Sequence, residues 1–400
     1  MSAPLSGVRV VEIASFVAVP AAGALLADLG AEVVKVEVPW GEIYRHSTPR
    51  LAGYDCDFPL GAPFQMDNRG KRSLTLDLAL PQAQEALGKV VESADVVLTN
   101  VLPARLEKYG LDPEALLARK PELVVACLSG YGPVGERAND PAFDYTAFWA
   151  QSGLMDDMRD AGLAPSFLRP GVGDHSAALS LCVGILAALR TRDAEGRGQV
   201  IHVSLQQVGF YVNGNDTATT LVTGETPPNH DRTSPRNPLW NHYRCADDRW
   251  LFLAMIEADR YWKGFTRALG RDDLAEDPRF AEGFARHQHA AELVAILDTE
   301  FASKPLEVWS KALSAESLIW APVNTVAEAV EDPTADRNGV FVEVDHPEAG
   351  KFRSVGAPLR MSAHPMPGSV PAPTLGADTA AVLAEAGVDE ETIAILAPDA

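Results

Sequence analysis

Asp174 is the acidic residue whose surroundings could best support covalent chemistry. It ends a glycine-rich segment, 169–174 (RPGVGD), and precedes an apolar stretch that predicts a helix over 175–189. The positive end of a helix dipole favours an ionised carboxylate, and an ionised carboxylate can attack an activated acyl group. Gly171 and Gly173 carry no side chain, which would let a substrate approach closely.

The same residue also fits an ordinary structural role. Aspartate is favoured at a helix N-cap, where its side chain accepts backbone N–H groups that would otherwise lack a partner. The pattern of residues by itself leaves both roles open, and one carboxylate can fill both.

A glycine motif at 130–135 (GYGPVG) matches the GxGxxG pattern and follows a predicted strand. Pro133 interrupts the motif, and 136–141 (ERANDP) continue as a loop where a crossover helix should begin. We therefore expect a loop over a binding cleft. The sequence contains no GxSxG, HExxH or Walker pattern and its nine histidines are dispersed, so we expect no metal site.

The elements that must position these residues alternate between strand and helix. Apolar, β-branched runs predict strands at 8–13, 32–36, 73–78, 95–99, 122–128 and 199–205. Helical patterns lie between them, for example over 81–93. This alternation predicts a doubly wound α/β domain with a parallel sheet.

The second half of the chain has a different character. A Thr-, Pro- and Asn-rich connection at 217–237 leads to a predicted hairpin with its turn at 246–249, and then to helices at 260–269, 290–303 and 306–314. We expect three segments: a large Rossmann-like domain at 1–215, a small α+β domain at 216–324, and a return to the large domain at 325–400.

Composition narrows the class of protein. The chain has 400 residues, 46% of them hydrophobic, and a net charge of −21. This charge argues against a nucleic-acid or membrane partner, which would call for a basic face. Four cysteines without metal or redox spacing, no signal segment, and no apolar run of membrane-spanning length indicate a cytoplasmic protein.

An ordered set of short motifs resembles the class III CoA-transferases, the group of formyl-CoA transferase and carnitine CoA-transferase, which is related to α-methylacyl-CoA racemase. The motifs are 7–13 (GVRVVEI), 29–37 (LGAEVVKVE), 68–77 (NRGKRSLTLD), 95–100 (DVVLTN), 128–132 (LSGYG), 173–176 (GDHS), 196–200 (GRGQV), 321–324 (APVN), 356–358 (GAP) and 375–379 (LGADT). Each motif is weak alone, but together they span the chain in the family's order.

The resemblance implies a fold and a reaction. The fold would be a Rossmann-like large domain formed by both termini plus a smaller α+β middle domain, in an interlocked homodimer. Asp174 would attack an acyl-CoA thioester, form a mixed anhydride and then an aspartyl-CoA thioester, and pass CoA to a carboxylic acid acceptor. CoA would be a substrate, with no tightly bound cofactor.

The resemblance also implies CoA contacts. Val17 and Ala18 match positions near the thiol arm, and the segment from Leu76 to Ala79 matches positions near the adenine. Three further candidates follow the end of a strand: Asn100, Val101 and Leu102. The candidates for binding the phosphates are the basic residues Arg105, Lys108, Lys71 and Arg72.

Some positions depart from the family's subgroups. Val17 stands where formyl-CoA transferases have a catalytic glutamine, and Val38 and Ala79 stand where they have basic CoA contacts. The racemase branch has a histidine immediately before an aspartate that matches Asp144; here Phe143 takes that place and cannot shuttle a proton.

The role of Asp144 and the class of activity stay open at this point. Asp144 could orient CoA or the acceptor, or serve as a loop or helix-cap acid. Besides CoA transfer, racemisation of a 2-methylacyl-CoA and CoA binding without catalysis are the alternatives.

Overall fold

The computed structural model describes residues 3–364, 366 and 368–397, and the chain divides into two compact units. The first unit contains the described residues up to 155, residues 167–226 and the described residues from 336 onward; the second contains 156–166 and 227–335. These units differ from the expected segments. Residues 216–226 belong to the first unit, while 325–335 and the short insertion 156–166 belong to the second.

The strands, in chain order, are β1 (Arg9–Ile13), β2 (Glu32–Glu37), β3 (Arg72–Thr75), β4 (Val96–Thr99), β5 (Val124–Ser129), β6 (Val200–Ser204), β7 (Trp240–Arg244), β8 (Trp250–Ala254), β9 (Trp320–Pro322), β10 (Phe341–His346) and β11 (Gly350–Val355).

The α-helices, in chain order, are α1 (Ala18–Asp28), α2 (Ala62–Asn68), α3 (Pro81–Glu92), α4 (Pro103–Lys108), α5 (Pro113–Arg119), α6 (Leu154–Asp157), α7 (Val172–Glu195), α8 (Leu205–Val212), α9 (Gly214–Thr223), α10 (Ala258–Leu269), α11 (Asp272–Glu276), α12 (Gly283–Gln288), α13 (Ala290–Phe301), α14 (Leu306–Ala315), α15 (Val326–Ala329), α16 (Pro333–Arg337), α17 (Thr379–Glu385) and α18 (Glu390–Leu396). A 3₁₀ turn (Ile43–His46) and a π-helical turn (Tyr145–Ala150) complete them.

The first unit is built on a six-stranded parallel sheet in the order β3-β2-β1-β4-β5-β6. This is the strand order of the Rossmann fold, and it confirms the predicted α/β class. The order reverses between β1 and β4, so the turns that follow these two strands border a crevice at the carboxyl edge of the sheet. Ligands of open α/β sheets bind at such a crevice.

Helices cover both faces of this sheet because the strands are apolar on both sides. On one face α1 and α7 pack against each other and against the sheet; on the other, α3, α5 and α17 bury their apolar sides. α1 is buried along almost its whole length, which fixes the turn that joins it to β1.

α7 is the longest described helix and starts at the candidate nucleophile. Among the described residues, α7 is the one helix that is long and apolar enough to cross a membrane. The expectation that no apolar run reaches this length was therefore wrong. Much of the surface of α7 is nevertheless packed inside the first unit, against α1, β5 and β6. Leu179, Val183 and Leu186 leave an exposed apolar strip along it.

The second unit has its own core. β7, β8 and β9 form an antiparallel sheet, and the hairpin between β7 and β8 turns at the predicted residues. α10, α13 and α14 pack around buried aromatic side chains, among them Phe265, Phe301 and Trp309.

Candidate active site

Asp174 lies in the first turn of α7 but does not cap it. The N-cap of α7 is Gly171, which has a φ of 86°, a left-handed conformation that glycine adopts readily. Asp144 contacts the same end of α7, since the N–H of the N-cap residue Gly171 donates to Oδ2 of Asp144 at 2.8 Å. The cap interpretation was therefore wrong for Asp174.

Gly173 serves packing rather than access. A Cβ atom at this position would lie 2.5 Å from the ring of Phe148, a side chain that is fully buried in the first unit. The expectation that Gly173 opens a path for substrate needs correction, because the missing side chain lets α7 approach the π-helical turn that carries Phe148.

Asp174 lines a cleft of about 90 Å³ at the switch point of the sheet. Four residues expected to contact CoA line the same cleft: Val17, Ala18, Asn100 and Leu102. Gly130, the first glycine of the GxGxxG motif, also lines it, as expected for a loop over a cleft. Both ends of the Asn100 side-chain amide are hydrogen-bonded to Ser15: its Oδ1 accepts the Ser15 N–H, and its Nδ2 donates to the Ser15 carbonyl. Asn100 therefore fixes the turn after β1.

The pKa of Asp174 is raised from 3.8 to about 7. Burial is the main cause, and the carboxylate of Asp144 adds to it, while His175 acts in the opposite direction. Burial disfavours the charged form of an acid, and a nearby like charge does the same. The expectation that the helix terminus alone keeps this carboxylate ionised is therefore too simple.

His175 ties the start of α7 to a neighbouring helix. Its Nε2 lies 3.0 Å from Oδ1 of Asp67, a buried residue of α2, and this hydrogen bond raises the pKa of His175. Burial, followed by the carboxylates of Asp67 and Asp174, raises the pKa of Tyr44, which keeps its phenol protonated. Sequence reasoning missed Asp67 and Tyr44, since neither belongs to a pattern that points to Asp174.

A larger groove, of about 700 Å³, borders the carboxyl ends of β1, β2, β3 and β4. It is lined by the other expected CoA contacts: Leu76, Ala79, Val101, Arg105 and Lys108. Within the described residues, Arg105 and Lys108 have no acidic partner, so their charges are free to bind an anion. Val38, where the family has a basic residue, also lines this groove.

Phe16 lines both the groove and the Asp174 cleft. Its φ of 69° lies in the left-handed region, where a bulky residue is strained. The conformation is held by Glu42, whose Oε2 accepts the Phe16 N–H at 2.6 Å. The ring meets that of Phe143 edge to face, with centroids 5.3 Å apart. The sequence did not predict this role of Phe16, because a single phenylalanine belongs to no pattern that marks the wall of a binding site.

Lys71 does not reach either opening. Its ammonium group is fully buried and bonds Glu12 at 2.7 Å, the carbonyl of Pro20 and the amide of Asn68. Burial lowers its pKa to about 8, although Glu12 opposes this. The expectation that Lys71 binds a CoA phosphate is thus corrected.

Arg72 is likewise committed elsewhere. Its guanidinium pairs with Glu385 at 2.8 Å and with Glu32. It joins β3 to α17, away from the residues that line the groove.

Lys71 belongs to a buried chain of alternating charges. Glu12 binds Lys71 through one oxygen and Lys35 through the other, and Lys35 lies 2.7 Å from Oε1 of Glu42. Glu42 then accepts the Phe16 N–H. The strained turn at the site is therefore anchored to the centre of the sheet.

Within the described residues, no group of three or more His, Cys, Asp or Glu side chains could hold a metal ion.

Comparison with known proteins identifies the family. The model for CoA-transferase family III matches residues 5–379. The chain is 31% identical to (R)-2-hydroxy-4-methylpentanoate CoA-transferase of Clostridioides difficile, over 97% of each chain. It is also 31% identical to cinnamoyl-CoA:phenyllactate CoA-transferase of Clostridium sporogenes, over 98% of this chain and 96% of the relative.

The solved structures agree with this relationship. A CaiB/BaiF family protein from Brucella suis superposes with a TM-score of 0.85 at 29% identity, and the match covers 96% of this chain and all of the other. The chain therefore belongs to CoA-transferase family III, as an acyl-CoA:carboxylate CoA-transferase.

Proposed function

We propose that Asp174 is the nucleophile of the transfer. Its carboxylate attacks the carbonyl carbon of the donor acyl-CoA, the C–S bond breaks, and CoA leaves as a thiolate. The thiolate then attacks the aspartyl carbonyl of the mixed anhydride, which releases the donor acid and leaves an aspartyl-CoA thioester. The acceptor carboxylate attacks this thioester, and the same steps run in reverse to release the new acyl-CoA.

The observation that carries this proposal is the place of Asp174 at the switch point of the sheet. Its carboxylate faces the small cleft. Phe16 lines both this cleft and the neighbouring groove, which is large enough for a nucleotide. CoA in the groove, with its thiol arm passing Phe16, would bring the thioester to Asp174. The anhydride hydrolyses readily, and the small cleft limits the water that can reach it.

We propose that the groove binds CoA with its phosphates on Arg105 and Lys108. Both belong to α4, which starts just after β4, and both lack an acidic partner in the described chain. Leu76, Ala79 and Val101 offer apolar contacts in the same groove. Asp144 acts on the reaction indirectly, because it orients the turn that presents Asp174 and affects its charge.

We propose that the enzyme works as an interlocked homodimer in the cytoplasm. Tyr211 on α8 and Leu221 and Val222 on α9 are exposed apolar side chains, which another copy of the chain could cover. All four cysteines are free thiols, as expected in a reducing compartment.

Trapping with hydroxylamine tests the nucleophile. Hydroxylamine added during turnover converts an aspartyl thioester or anhydride into a hydroxamate, and peptide mass spectrometry should find this mass change on Asp174. Protein incubated with hydroxylamine but without acyl-CoA is the control. An unlabelled Asp174 during active transfer, or an Asp174→Ala variant with full activity, contradicts the proposal.

The residue at position 143 of the same cleft disfavours racemisation. Phe143, where the related racemases have a histidine, is a hydrocarbon ring beside Asp174 and cannot accept a proton. We therefore expect no deuterium to enter the α-position of a 2-methylacyl-CoA in D₂O without an acceptor acid, as measured by mass spectrometry.

A further inference from the structure

The wall of the Asp174 cleft is mostly apolar. Val17, Leu128, Ala142 and Leu205 line it together with the two phenylalanines. No lysine or arginine is among its lining residues in the part of the chain that the structure describes. Its acidic residues are Asp174 and Asp140, and Asp140 is paired with Arg137, which lies outside the lining, at 3.0 Å. The lining therefore offers no free cation to a second carboxylate.

The two aromatic rings are presented to the cleft rather than packed away. Phe143 is 55% exposed and Phe16 is 39% exposed, although they contact each other edge to face. The hydrogen bond from the strained Phe16 backbone to Glu42 holds the part of the chain that carries this ring. A strained residue held by its surroundings often has a functional role.

We propose that the Phe16–Phe143 pair makes the cleft accept apolar monocarboxylic acyl groups and reject acids that carry a second carboxylate. This inference rests on the proposed function, because it concerns the acyl group that is attached to and removed from Asp174.

The physical reason is the cost of an unpaired charge. A second carboxylate would lose water against the two rings without gaining a cation from the lining. An apolar chain gains contact with the same rings as it leaves water. The cleft is small, about 90 Å³, so it suits a short chain better than a long one.

Isotope exchange between each acyl-CoA and its own labelled acid tests this selectivity one acid at a time. We expect kcat/KM for propionate or isobutyrate to exceed that for succinate by about 100-fold or more. Equal or faster exchange of succinate overturns the inference and leaves the proposed function intact. No exchange with any acid, together with an unlabelled Asp174, refutes the proposed function itself.

Phe143→Arg offers a gain of function that misfolding cannot imitate. The new cation would pair with a second carboxylate, and the succinate-to-propionate ratio of kcat/KM should rise about tenfold or more. Phe143→Leu keeps an apolar wall and should leave the ratio low. Val134→Arg adds the same charge at an exposed residue outside the cleft lining and controls for net charge. An unchanged ratio in Phe143→Arg contradicts the proposal.

Phe16→Gly tests the other ring without added strain. Glycine accepts the left-handed backbone, so the fold should survive while the cleft widens. The phenylacetate-to-propionate ratio of exchange rates should rise about tenfold, and Phe16→Leu should show a smaller rise. A ratio in Phe16→Gly equal to that of the wild type would show that this ring does not select the acyl group.

Discussion

Two opposing effects act on the carboxyl group of Asp174. The helix terminus stabilises its anion by about 0.3–1 kcal/mol. Burial and the Asp144 carboxylate oppose this and raise the pKa to about 7. The second effect is the larger, so the free protein holds comparable amounts of the acid and the anion of Asp174 near neutral pH.

The pH dependence of transfer should follow this equilibrium. Because the proposed attack by Asp174 needs its anion, kcat/KM should rise with pH and level off above a midpoint near 7, measured with a donor and acceptor that stay ionised throughout. A rate that is constant from pH 5 to 9 contradicts the raised pKa.

Asp174→Asn should abolish transfer and yet stabilise the fold. Activity should fall by about 10³-fold or more because the amide is not a nucleophile. A carboxyl group with a raised folded-state pKa loses stability as pH rises from its unfolded value through its folded value. The variant should therefore be about 1–3 kcal/mol more stable than wild type in urea at pH 8, and the gain should shrink towards zero near pH 4. A variant that is less stable at pH 8 contradicts this.

At the scale of residues, the sequence indicated Asp174 as the candidate nucleophile but gave no signal for the residues around it. Asp174 could be found because its glycines and the following helix are local signals. Its raised pKa could not, because Asp144 and Asp67 reach it from other parts of the chain. The same reason explains the error about Lys71, whose partner Glu12 lies 59 positions away on β1.

The start of α7 depends on the contact between Gly173 and Phe148. Gly173→Ala should destabilise the protein by about 1–3 kcal/mol, because the new methyl group overpacks a buried ring. Gly88→Ala is the matched control: this glycine lies in α3 with open space around it, and alanine there should stabilise by about 0.5–1 kcal/mol. Urea denaturation measures both, and equal effects contradict the packing argument.

Asp144 joins the π-helical turn to α7, and two substitutions separate its contributions. Asp144→Asn keeps an oxygen for the Gly171 N–H but removes a negative charge, so the midpoint of the pH profile should fall. Asp144→Ala also loses the hydrogen bond and should cost about 1–3 kcal/mol of stability. A midpoint that does not move in Asp144→Asn would show that this carboxylate has no effect on Asp174.

At the scale of elements, strands were predicted well because runs of valine and isoleucine are a local signal. The six predicted strands of the parallel sheet are present, with ends displaced by a few residues. The π-helical turn was missed, since no local pattern of residues over 145–150 distinguishes it from an ordinary helix or loop. The insertion 156–166 was missed too, because no composition change marks a short segment that joins another unit.

Self-association is the testable property of the whole molecule. In the proposed homodimer, replacing Leu221 and Val222 of α9 by glutamate should lower the molar mass in light scattering from that of two chains towards that of one, because two charges replace exposed apolar side chains. Ile395→Glu makes the same kind of change on the exposed side of α18 and should leave the molar mass unchanged. An unchanged mass in the α9 variant excludes this surface from the interface.

The chain of alternating charges from Lys71 to Glu42 limits which substitutions this fold can tolerate. Loss of Glu12 alone would leave the ammonium groups of Lys35 and Lys71 without their shared partner inside the sheet, at a cost of about 3–5 kcal/mol. Single substitutions within this chain of charges are therefore costly, and the backbone at Phe16 depends on the same charges through Glu42. New acyl specificities are reachable by exchanging the side chains at 16 and 143, which leaves that support untouched.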